Sequence, residues 1–97
     1  MAAELKHGQS PHAILQAIAA TPGIPEQVIL NRAAGYADYA LSPQATLNKR
    51  AGRAEHALTY QEALKANTGF VGNASTQEIL IAANNAGKTI SNIVTGV

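Results

Sequence analysis

Residues 78–97 read EILIAANNAGKTISNIVTGV. Ile79, Ala83, Ala86, Ile90, Ile93 and Val97 fall at alternating steps of four and three, the spacing of one helical face. The stripe reaches the last residue of the sequence, so it is expected to face a neighbouring helix or another molecule rather than a later segment. Ala83, Gly87 and Ser91 line up at i+4 steps beside it, where small side chains let a second backbone come close.

Ser75 and Glu78 match the Ser-x-x-Glu capping box, which opens a helix there. The spacing predicts a single rod from Ser75 to Val97, about 35 Å long at 1.5 Å per residue. Before it, NTGFVGNA at 67–74 reads as a loop, with Phe70 and Val71 expected to tuck back as an anchor. Ser42-Pro43 opens a third helix running to about Ala66, with Leu47, Ala51, Ala54 and Leu58 on one face. The two long helices are then similar in length and joined by a short loop, which predicts an antiparallel hairpin.

Pro25 opens a second helix to about Ala40, and Ser10-Pro11 a short first one that stops before TPGIP at 21–25. The expected fold is all-α, with four helices: a single helical domain over residues 10–97, preceded by an arm at 1–9. Ala34-Gly35, Ala51-Gly52 and Ala86-Gly87 would each put a glycine inside a helix, at about 1 kcal/mol against alanine. Close helix packing is the expected compensation, so Gly87→Leu is expected to keep helicity and weaken association.

Apolar residues make up 46 % of the 97, but twenty of them are alanine and aromatics are only 4 %. Alanine buries little area, and at roughly 25 cal/mol per Å² the core is thin enough to want a partner. The net charge of +1 supplies no strong field to steer nucleic acid or anionic lipid. Without cysteine there are no disulfides, thiol nucleophiles or thiolate ligands. MAAELKHGQSPH lacks the apolar core of a signal peptide, and Arg32 and Asp38 interrupt the best apolar stretch. The expectation is a cytoplasmic protein without a membrane span, or part of an assembly exported without a cleaved leader.

Signals for chemistry are sparse. AANNAGKT at 82–89 carries the Gly-Lys-Thr tail of a P-loop, but Ala82 replaces the first glycine and no strand precedes it. His7, His12 and His56 form no metal-ligand spacing. Tyr36 and Tyr39 flank Asp38, a grouping that packing explains. Asn73-Ala74-Ser75 matches a glycosylation acceptor, though Ser75 already has a capping role. The expectation is no enzyme: no catalytic residue, cofactor, metal or small-molecule substrate is evident.

Residues 36–53, YADYALSPQATLNKRAGR, resemble a helix-turn-helix reader. That resemblance implies Gln44, Thr46 and Asn48 at base edges, with Lys49, Arg50 and Arg53 on phosphates. It departs from the pattern at Tyr36, where a small residue usually stands, and in a turn without glycine. Glu55 and Glu62 also follow the basic cluster and would repel phosphate.

The leading expectation is therefore a non-enzymatic structural or interaction protein. It would be a self-assembling helical subunit of a filament, coat, phage particle or surface assembly, packing through its C-terminal helix. Ile79, Ala83, Ala86, Gly87, Ile90, Ser91, Ile93 and Val97 are its expected interface. DNA binding, or an adaptor role toward a different protein, is the alternative.

Overall fold

Hydroxyl side chains set most of the helix starts. In the computed structural model, which describes residues 9–97, Ser10 accepts the Ala13 amide, Ser42 that of Ala45, Thr59 that of Glu62, Ser75 that of Glu78 and Thr89 that of Asn92. Each satisfies a first-turn N–H that has no partner within its own helix. The helices that follow are α1 (Pro11–Ala19), α2 (Glu26–Ala34), α3 (Pro43–Arg50), α4 (Tyr60–Thr68), α5 (Thr76–Asn85) and α6 (Ile90–Thr95). No strand occurs among the described residues, so the chain is all-α. The expected arm falls, save for Gln9, outside the described residues.

Among the described residues, six short helices replace the four expected, and the glycines are the reason. Gly52 has φ +89° and Gly87 φ +79°, left-handed values that end a right-handed helix. At the first break the Gly52 amide donates to the Lys49 carbonyl at 3.0 Å and the Arg53 amide to that of Asn48 at 2.8 Å. At the second, Gly87 and Lys88 donate in the same way to Asn84 and Ala83. These paired bonds are the Schellman closure of a helix end. The long hairpin is thus corrected to short elements, of which α4 and α5 still pack together. Gly35, at φ +83°, likewise ends the second helix at Ala34 rather than near Ala40. Gly87→Leu would strain a turn, not improve a helix.

α1 closes with the same bonds, from Ala20 to Ala17 and from Thr21 to Gln16, but around an alanine at φ +55°. Alanine in this region costs roughly 1–2 kcal/mol, part of which glycine's greater unfolded freedom would take back. Ala20→Gly is expected to stabilise the protein by about 0.5–1 kcal/mol, measured by urea unfolding. An unchanged midpoint would contradict this.

The connecting segments are held by amides. Gln27 Nε2 donates to the Leu41 carbonyl at 3.0 Å and Gln44 Nε2 to that of Leu58 at 2.9 Å. Gln61 Nε2 donates to the carbonyl of Ala74. These three glutamines stand seventeen residues apart, each just inside its helix. The middle of the chain is therefore a repeated unit of helix, left-handed glycine stop and clamped return.

Successive units close into a ring. α1 packs on α2, α2 on α3, α3 on α4, α4 on α5, and α5 returns to α1. α6 lies inside and packs against α1, α2, α3 and α4. Its Ile90, Ile93 and Val94 join Ile14, Leu15, Leu30, Leu47, Leu64, Ile79 and Leu80 in one core. The radius of gyration is 12.1 Å, against about 12 Å expected for a compact chain of this size.

Candidate binding surfaces

The C-terminal stripe divides between two environments. Ile79, Ala83, Ile90 and Ile93 are buried in the chain's own core. Ala86, Gly87 and Ser91 are exposed, and Val97 is 88 % exposed. The break at 86–89 rotates α6 out of line with α5, so the eight residues do not form one face. Ile79 and Ala83 serve the ring, Ile90 and Ile93 the plug.

The residues of the helix-turn-helix resemblance are mostly engaged internally. Thr46 and Asn48 are fully buried. Thr46 Oγ1 lies 2.9 Å from the Ser42 carbonyl and 3.3 Å from Asn31 Oδ1. Asn48 Nδ2 meets the carbonyls of Gln44, Glu55 and Leu58 at 2.9–3.1 Å. Gln44 clamps Leu58 as described above. Lys49 and Arg50 are exposed at the carbonyl end of α3, where the helix dipole opposes an anion. The Lys49 ammonium sits 6.0 Å from the centre of the Tyr36 ring.

Arg53 has a structural position instead. Its Nε donates to Asn48 Oδ1 at 3.0 Å, and its Nη2 to Asn67 Oδ1 at 2.8 Å and to the Leu47 carbonyl at 3.3 Å. Asn67 Nδ2 in turn donates to the Ile93 carbonyl at 2.8 Å. The guanidinium thus joins the carbonyl ends of α3 and α4, where a cation offsets the helix dipoles, and Asn67 extends the junction to α6.

Two exposed valines border this junction. Gly96 lies so close that a side chain there would begin 3.7 Å from the Asn67 backbone, and Val97 follows it. Past the end of α4, Phe70 packs on the core while Val71 is 92 % exposed. The expected anchor is therefore Phe70 alone. Nothing in the local pattern marked Val71 as the outward member of the pair.

Titratable groups serve as fasteners. The Thr59 amide holds the Glu62 carboxyl below its ordinary range, completing a capping box. Asp38 is held low by its hydrogen bonds from Arg32, at 2.8 and 3.0 Å. The Tyr60 hydroxyl donates to Glu26 Oε2 at 3.0 Å, and burial, with the Glu26 charge next, pushes its ionisation far above the ordinary value of 10.0. The folded state keeps this proton, whereas the unfolded chain releases it near pH 10.0. Stability should therefore be fully present below that pH and fall above it by about 1.4 kcal/mol per unit. Tyr60→Phe is expected to remove most of that slope in urea titrations between neutral and alkaline pH. An equal slope in both proteins would contradict the assignment.

Among the described residues, no group of three His, Asp or Glu is gathered as a metal site. No described helix is long and apolar enough to cross a membrane. A scan against protein-family models, a search of curated proteins and a search of solved structures each returned no match.

Proposed function

We propose that this chain is a non-enzymatic interaction module that associates with copies of itself through the surface bordered by Val71 and Val97. The observation that carries this reading is the near-complete exposure of both valines, at 92 % and 88 %, beside one helix junction. Removing such a pair from water is favourable. The surface replaces the continuous helical stripe as the proposed contact. A DNA-reading role is not part of the proposal, because Thr46, Asn48 and Arg53 are engaged in internal hydrogen bonds.

Sedimentation velocity over a hundredfold concentration range tests it. Wild type is expected to rise above its 10.0 kDa monomer mass, and the doubly substituted Val71→Asp, Val97→Asp chain to remain monomeric with unchanged helicity. A wild type that stays monomeric throughout would refute self-association and leave a different protein as the partner to seek.

A further inference from the structure

The glutamine clamps fix the direction of the ring helices. Gln27, Gln44 and Gln61 stand in the first turns of α2, α3 and α4, and each reaches a carbonyl just before the next helix, at Leu41, Leu58 or Ala74. The amino ends of α2, α3, α4 and α5 are therefore neighbours, and these four helices run parallel. Parallel helices give the ring two unlike rims, one of amino ends and one of carbonyl ends.

Charge follows the same division. Glu26, Glu62 and Glu78 occupy first turns. Arg32, Lys49, Arg50 and Lys65 occupy last turns, and Lys88 follows the end of α5. Each set suits its own helix ends, because amide dipoles favour anions and carbonyl dipoles cations. Arg32 is held by Asp38. Among the described residues, Lys49, Arg50, Lys65 and Lys88 on one rim, and Glu62 and Glu78 on the other, enter no salt bridge. Val71 and Val97 stand beyond the carbonyl ends of α4 and α6, so the exposed pair belongs to the basic rim. On the acidic rim Pro25, Ala40 and Ala57 are exposed just before helix starts, small apolar residues that two valines can meet.

We propose that copies of this chain stack head to tail, the basic carbonyl rim of one on the acidic amino rim of the next. This rests on the self-association reading and names the surface that its valines contact. A second copy brings both the missing charges and the apolar counterpart, and end-to-end helices set opposite dipole ends together. The contact is heterologous. Each added copy leaves one rim of each kind free, so growth does not stop at a dimer.

The test is sedimentation velocity of the full chain and three variants. Wild type is expected to pass beyond dimer mass as concentration rises, and to associate at least fivefold more weakly at about 500 mM salt than at 50 mM, where exposed charges are less screened. Glu62→Lys with Glu78→Lys should hold the chain monomeric at concentrations where wild type assembles. Glu62→Gln with Glu78→Gln keeps both capping boxes and should weaken association about tenfold, which guards against a loss of fold. The Glu62→Lys, Glu78→Lys chain has an intact carbonyl rim, and the Val71→Asp, Val97→Asp chain an intact amino rim. Mixed, the two should form one-to-one pairs. Wild type that stops at a dimer or gains affinity with salt would overturn head-to-tail stacking and leave self-association standing. So would glutamate variants that assemble as wild type does, or a mixture that stays monomeric. A wild type that is monomeric at every concentration would overturn both readings.

Discussion

Arg53→Met is expected to destabilise the protein by about 3 kcal/mol, because it removes the three donations of the guanidinium from a part-buried junction while keeping the aliphatic stem. Asn48 Oδ1 and Asn67 Oδ1 lose the guanidinium together, while the Leu47 carbonyl keeps Asn67 Nδ2 at 3.3 Å. A buried acceptor left unpaired costs about 1–3 kcal/mol, and relaxation toward water recovers part of the sum. For a domain of this size the melting temperature should drop by about 12–24 °C. Arg53→Lys should rescue little, since one ammonium cannot span two asparagines as a planar guanidinium does. Calorimetry and urea unfolding read both variants. A phosphate-binding arginine on a solvated face would show changes within about 0.5 kcal/mol on substitution, and that result would overturn the structural role.

The second large effect is expected at the plug. Ile93 is fully buried inside the ring, and Ile93→Ala should cost about 3–4 kcal/mol through lost transfer energy and the cavity left behind. Ile93→Asp should leave the chain unfolded at neutral pH, because a lone carboxylate would have no partner there. Val97→Asp, only four residues on, should leave helicity and melting temperature unchanged. Circular dichroism melts of the three variants separate a plug from an interface stripe. Equal tolerance of aspartate at both positions would mean that α6 does not fill the ring.

The helix starts were legible from residue types alone. Ser10, Ser42 and Ser75 cap within one turn of the chain, through bonds that need no distant partner. Thr59 and Thr89 cap equally well, but apolar spacing runs across both positions and hides the break. Periodicity reports which residues seek burial. It does not report whether the backbone stays helical between them. The glycines at 52 and 87 carried the missing information, as the same residue that weakens a helix interior is favoured at its left-handed end. The seventeen-residue spacing of Gln27, Gln44 and Gln61 was also present, but its meaning lies in the backbone carbonyls they reach after the turn.

For the candidate surfaces, sequence and structure part at the level of orientation. Val97 was marked by its stripe and is exposed; Ile93 was marked by the same stripe and is enclosed. The local chain by itself determined the helical class, the cap positions and the apolar residues that seek burial, since those follow from propensity, short-range hydrogen bonds and hydrophobicity. Only the tertiary structure decided that five helices close on themselves around the sixth. Closure depends on which surfaces meet across the whole chain, where Leu47, Leu64 and Ile93 share one core. It also directs Arg53 to a junction between helices, because the low-dielectric interior makes an unpaired Asn48 or Asn67 too costly to leave.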